Sequence, residues 1–188
     1  MSPDADDEQV TGWARRAARG DRLAAAAFVR ALQAPVWRFL AHLAGPAEAD
    51  DLAQETFLRA LRSLPGFAGR SSARTWVFTI ARRVAVDHVR AATARPRTAA
   101  LADWQAAAEA AGAVTRGGDD GVVLRGLIAA LAPDRREAFV ATQVLGLSYA
   151  EAAEVCGCPV GTIRSRVARA REDLAAAWSG DVRDRRAR

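Results

Sequence analysis

Arginines supply most of the polar chemistry this chain can do, and they are unevenly placed. The stretch Pro159–Arg171 carries Arg164, Arg166, Arg169 and Arg171 and no acid. Thr162 and Ser165 stand among them. Guanidinium groups can bond guanine O6 and N7 bidentately, and hydroxyls reach phosphates or bases, so the set suits a DNA groove. It equally suits a solvated arginine face on an ordinary bundle helix. A second run, Arg70–Arg97, has seven arginines against the single acid Asp87. Here Arg83, Asp87 and Arg90 stand at i, i+4 and i+7, where a surface ion-pair ladder would be worth only a few tenths of a kcal/mol per pair.

Catalytic groups are sparse. The two histidines, His42 and His88, fall on predicted helices, and His88 lies on an apolar face, where a core histidine is expected. No Ser/His/Asp set or glycine-rich phosphate loop is present, so the expectation is a protein that is not an enzyme. Cys156 and Cys158 are too few for a structural zinc site, and no nearby histidine completes one. Alternate residues are poorly placed for an unstrained disulfide. Cys156 reads as buried helix-end packing and Cys158 as a turn residue. No metal and no cofactor is expected.

Composition agrees with a binding role. The 188 residues are 51% hydrophobic and 26% charged, enough for a core. All 27 basic residues are arginine, the net charge is +5 and the pI is near 10.7, which favours an acidic partner, nucleic acid first. Only 6% is aromatic and alanine is the commonest residue, so an all-α fold is expected. The N-terminus is acidic where a signal peptide would be basic, and no apolar stretch approaches the ~20 residues of a membrane span. The expected location is the cytoplasm, without membrane insertion.

Helices must position these groups. Periodicity and breakers predict helices over 9–19, 22–43, about 47–64 and from about 72 to 90, with Gly45-Pro46 and Pro65-Gly66 as breaks. The third carries Ala53, Phe57, Ala60, Leu61 and Leu64 as its apolar stripe, and Glu48, Asp50 and Asp51 in its first turns. The fourth carries Val77, Ile80, Ala81, Val84 and His88. Trp76 is expected in the core rather than as a stacking platform. Residues 94–120 read as a linker, in which Leu101–Ala111 could still be helical by propensity. Periodicity resumes at Val122 and is broken by Pro133. Helices follow over about 134–145, with Gly146 as C′ residue, over 148–156, and over about 159–178. The tail 179–188 is expected to be polar and frayed.

Ser148-Tyr149-Ala150-Glu151 is a capping box. It opens a short helix ending at Cys156-Gly157-Cys158, and the basic helix follows. A short helix, a turn centred on glycine and a basic second helix make a helix-turn-helix pattern. The glycine matters because a Cβ opposes the tight turn. Ile163, Val167, Ala170 and Leu174 form the packing stripe, leaving Thr162, Arg164, Ser165, Arg166 and Arg169 elsewhere on the helix.

Leu145–Cys158 and Pro159–Glu172 together resemble region 4 of extracytoplasmic-function (ECF) bacterial RNA polymerase sigma factors. Leu131-Ala132-Pro133 and Arg135-Arg136-Glu137 resemble the start of that region. The resemblance implies that Thr162, Arg164, Ser165, Arg166 and Arg169 meet the −35 promoter element. Asp50–Ala60 resembles region 2.2, which implies that Asp51, Gln54, Glu55, Phe57 and Arg59 bind the polymerase core. Ser72–Arg90 resembles regions 2.3 and 2.4, which open and hold the −10 element. Arg74, Arg82, Arg83 and Arg90 would track phosphates of the separated strand. Relatives often have Asn at the place of Arg83. The loop Pro65–Ser71 takes the place where relatives hold a flipped base.

The pattern is that of the actinobacterial sigma-C type, with Ser71–Trp76 and Val155–Arg171 the most similar stretches. It implies a region 2-like domain over 10–93, the 94–120 linker, a region 4-like domain over 121–178 and a tail over 179–188. Its partners would be polymerase core, promoter DNA and an acidic anti-sigma factor. A helix-turn-helix regulator that binds duplex DNA without polymerase is the alternative, and the region 2.2-like helix argues against it.

Overall fold

The computed structural model describes residues 3–94 and 119–186, and these hold eight α-helices and no strand. The run Leu101–Ala111 lies outside the described residues, as does most of the 94–120 segment.

Helix α1 spans Pro3–Ala18 and α2 spans Arg22–Ala44. Asp21 joins them: it caps α2 by accepting from the Ala24 amide at 3.0 Å and holds the Arg16 guanidinium at 2.7 Å. Those contacts hold its carboxyl below the usual range, the amide bond contributing most. Ala24, Phe28, Leu32, Val36, Phe39 and Leu40 make the buried stripe of α2. Helix α3, Ala49–Ser63, buries Leu52, Thr56, Phe57 and Ala60. Thr56 goes inside because its hydroxyl donates to the Leu52 carbonyl at 2.7 Å, which satisfies it without water. Leu61, expected in the stripe, is exposed. A 3₁₀ turn, Leu64–Gly66, leads into an irregular loop and then α4, Ala73–Ala94.

The second half contains α5 (Asp119–Ala130), α6 (Pro133–Phe139), α7 (Tyr149–Cys156) and α8 (Val160–Arg186). The helix expected over 134–145 changes character midway. After Phe139 it continues as a π-turn, Val140–Val144, ending ahead of Gly146 at φ 71°. Helix α8 continues to Arg186, so residues 179–186 are helical where a frayed tail was expected. No proline interrupts them, and Gly180 alone is a tolerable cost against good helix-forming arginines.

One hydrophobic cluster runs through both halves, from Phe28, Phe39 and Phe78 to Val140, Val155 and Ile163. Helix α4 packs on α2 and α3 and also on α7, while α2 meets α5 and α6. This three-sided packing explains why Phe78 and Ala85, both off the expected stripe, are buried. Phe78 sets its ring edge-on to Phe39 at 5.4 Å. Polar bonds seal the α4–α7 side. Arg82 pairs with Glu137, Arg74 donates to the Leu145 carbonyl, and the Thr75 hydroxyl donates to Glu151 at 3.2 Å. A flexible linker alone would let the halves sample many separations, but in the structure they are packed together.

Half-buried His42, on α2, lies among Arg38, Arg125 and Arg136. Burial first, and then these three charges, push its pKa below 6.5. A depressed histidine favours the folded state at high pH. Stability should therefore fall as pH drops through 6.5. The check is the thermal midpoint from pH 8 to pH 5.5 for the native chain and His42→Gln. The substitution should flatten the slope, and an unchanged slope would refute the assignment.

Candidate nucleic-acid interface

Helices α7 and α8 form a helix-turn-helix whose local geometry follows from its sequence. Ser148 accepts from the Glu151 amide at 3.2 Å and its own amide donates to the Glu151 carboxylate at 2.8 Å. Burial raises the pKa of Glu151, but the Ser148 and Thr75 bonds and the Arg74 charge outweigh it and the net shift is downward. Gly157 ends α7 in the left-handed region at φ 64°, and its amide reaches the Ala153 and Glu154 carbonyls. The Pro159 carbonyl then accepts from the Thr162 and Ile163 amides, so the proline stands just before α8 rather than inside its first turn. Ile163, Val167 and Ala170 anchor α8, each at most 1% exposed.

On the outer side of α8, Arg164, Ser165 and Arg169 are exposed, with Ala168 between them. The Ser165 hydroxyl donates to the Thr162 carbonyl at 2.9 Å. Two expected members of this set stand elsewhere. Arg166 is half-buried, with Nε 3.2 Å from Asp134 Oδ2 and a bond to Cys158 Sγ at 3.6 Å. Thr162, one turn earlier on the same side, is also half-buried. A helix carries its flanks at i and i+4, and this flank turns toward α6.

Helix α4 divides in the same way. Arg83 and Arg90 are exposed, whereas Arg74 and Arg82 are drawn into the packing between the halves. Arg74 also lies 3.7 Å from Asp7 and 5.8 Å from the Phe78 ring centre. Asp87 pairs with Arg59 at 3.3 Å, across to α3. The expected ladder with Arg83 and Arg90 is thus displaced in favour of a tie between helices. His88 is not a core residue: it is half-buried with Nε2 3.5 Å from Glu48. Trp76, also half-buried, packs on Phe67 at 5.0 Å between ring centres. Glu137 is nearly enclosed, and burial pushes its carboxyl pKa up despite the neighbouring Arg82.

Asp51, Gln54 and Arg59 are exposed along α3 and Glu55 is half-exposed. Arg59 is held at 2.7 Å by Glu55 as well as by Asp87. Phe57 points inward, at 9% exposure, instead of standing out as an anchor. The outward apolar groups are Leu58 and Leu61, 43% and 39% exposed, which the sequence reading missed. The signal was available: Gln54, Leu58 and Leu61 lie at i, i+4 and i+7. Beside them a groove of about 410 Å³ separates α2 from α3, lined by Gln33, Trp37, Arg38, Asp50, Gln54 and Phe57.

The Cys156 thiol is buried and pushed up to about 12, chiefly by desolvation, so it is unreactive packing. Both cysteines are free thiols. Among the described residues no cluster of His, Cys, Asp and Glu could hold a metal ion, and no helix is long and apolar enough to cross a membrane.

Two small helical units, one carrying a helix-turn-helix and the other an exposed polar helix beside a basic one, define a DNA-binding transcription subunit. Residues 28–95 match Sigma-70 region 2 and residues 122–174 match Sigma-70, region 4. The ECF RNA polymerase sigma factor SigC of Mycobacterium tuberculosis is 54% identical over 171 residues, 91% of this chain and 92% of that one. CnrH, solved with the cytosolic domain of CnrY, superposes with a TM-score of 0.70 at 25% identity over 92% of this chain and 99% of that one. RpoE of Bartonella quintana, solved with the anti-sigma factor NepR, gives 0.65 at 25% identity, over 80% and 94%. The chain belongs to the ECF family of RNA polymerase sigma factors, the subunits that direct polymerase to promoters.

Proposed function

We propose the following division of labour within this sigma factor. The outer face of α3, with Asp51, Gln54, Glu55, Leu58 and Arg59, takes the polymerase core. Helix α4 and the loop before it take the opened −10 element through Arg74, Arg82, Arg83 and Arg90. Helix α8 reads the −35 element through Arg164, Ser165 and Arg169, and Thr162 and Arg166 support its flank. The domains run over 10–93 and 121–178. The chain acts by binding, in the cytoplasm, and the chemistry is the polymerase's.

The observation that carries this reading is that α3 and α8 each present an open polar face on separate units. A regulator that bound duplex DNA alone would need the second face and have no use for the first. In the packed arrangement Arg74 and Arg82 are occupied, so promoter binding waits on core to separate the halves. Core then holds both DNA-reading helices at one spacing, which removes an ordering cost the free chain would bear. An anti-sigma protein, acidic where α4 and α8 are basic, would compete for the same faces.

A pull-down with polymerase core tests the assignment. Gln54→Ala combined with Leu58→Ala should weaken core binding by about 1–2 kcal/mol, the usual scale for interface truncations. Circular dichroism should not change, because both side chains are exposed. Undiminished affinity for core, or tight sequence-specific promoter binding by the isolated chain, would overturn the division.

A further inference from the structure

The loop between the 3₁₀ turn and α4 does not stand alone: α1 holds it from the side. The Thr11 hydroxyl accepts from the Ala73 amide at 3.0 Å, fixing the first residue of α4. One turn further along α1, Arg15 reaches the loop at Gly69. Gly69 is in the left-handed region at φ 66°. A β-carbon built there would lie 3.2 Å from Arg15 Nη2, 3.4 Å from Nε and 3.7 Å from Cζ. Two nitrogens nearer than the carbon between them mean that the guanidinium presents its Nε–Nη2 edge. That edge is the two-donor fork that matches the oxygens of a phosphate. It opens onto the space left empty because residue 69 has no side chain. Arg15 is exposed, and it makes no hydrogen bond or ion pair among the described residues. Arg70, also exposed, adds a second positive charge next to Gly69.

We propose that Arg15 binds a phosphate of the non-template strand where that strand enters the 67–72 loop, and that Gly69 keeps the space for it. Arg15 is thereby a strand-binding residue contributed by α1, outside the basic helix that the sequence singles out. Both a larger residue 69 and a shorter residue 15 defeat the arrangement. A Cβ at 69 would crowd the fork and would also strain the backbone at this φ.

This inference rests on the proposed role of the loop in holding the opened strand, and the experiment separates the two. Holoenzyme is formed with the native chain, Arg15→Gln, Arg15→Lys and Arg70→Gln. Binding of a single-stranded −10 oligonucleotide is measured by anisotropy over a range of salt, with each base in turn at the position held by the loop. Arg15→Gln should weaken binding about tenfold, equally for all bases, and lower the salt slope by about one. Arg15→Lys should recover part of the loss, since it keeps the charge without the fork. Replacing the phosphate flanking that base by a neutral methylphosphonate should abolish the difference between native and Arg15→Gln.

A loss confined to one base would overturn the phosphate assignment in favour of a base-edge contact. Weakening by Arg70→Gln with none by Arg15→Gln would overturn the Arg15 inference alone. Indifference to both would overturn the loop's role as well. Core affinity, measured in parallel, should not move for any of these variants.

Discussion

Arg82→Ala is expected to open the packed arrangement of the two halves. The substitution leaves Glu137, whose side chain is 9% exposed, as a buried carboxylate without its guanidinium partner. Removing one member of a buried pair costs about 3–5 kcal/mol, and the low end applies because Arg82 is itself 29% exposed. Small-angle scattering should show a larger radius of gyration, and amide exchange in α7 should quicken. The double variant Arg82→Ala/Glu137→Gln should close again, since it leaves no buried charge. The pH dependence has a definite sign. Burial raises the Glu137 pKa, so the packed state holds that proton more tightly than the open one. Packing therefore strengthens as pH falls through the raised pKa, and mild acid should partly reverse the opening of the single variant. A single variant as compact as the native chain at neutral pH would remove the pair from any account of how the halves stay together.

Arg164→Ala and Arg169→Ala should each damage recognition of the −35 element. If a side chain bonds a guanine bidentately, its loss costs roughly 1–3 kcal/mol and relaxes preference at one base pair. If it meets phosphate only, binding weakens uniformly across sequences and the salt slope drops by about one. Arg166→Ala provides the contrast. Arg166 is tied to Asp134 and Cys158 at the flank of α8, so its loss should act through helix placement and lower stability before it alters sequence preference. Competition binding of holoenzyme to promoters varied one base pair at a time distinguishes these outcomes. Equal preference profiles for the native chain and both exposed-arginine variants would argue against this face of α8 as the reader.

Local features of this protein are written in local sequence. The capping box at Ser148, the glycine stop at Gly157 and the anchoring stripe Ile163–Val167–Ala170 depend on residues within a turn or two of one another. Spacing alone specifies them, because cap and turn geometry is a property of a few consecutive dihedrals. The polar face of α3 was legible for the same reason, down to Asp51 and Gln54. The ECF pattern was also legible, since both of its motif sets lie in unbroken stretches.

Tertiary packing decided which side of each helix faces outward when more than one neighbour competes for it. Nothing local distinguishes Arg82 from Arg83. The first meets Glu137 only because α4 packs on the second half of the chain. Phe57 and Leu58 are adjacent apolar residues, and the position of α2 put one inside and left the other out. Arg166 carries the same side chain as Arg164, but the flank of α8 turns it to Asp134, 32 positions earlier in the chain. Arg15 lies on a helix with no basic pattern to mark it, and its relation to Gly69 exists only after α1 folds back over the loop. Periodicity fixes the faces of a helix. Contacts between residues far apart in the chain fix which face each partner covers, and a one-dimensional pattern does not contain that choice.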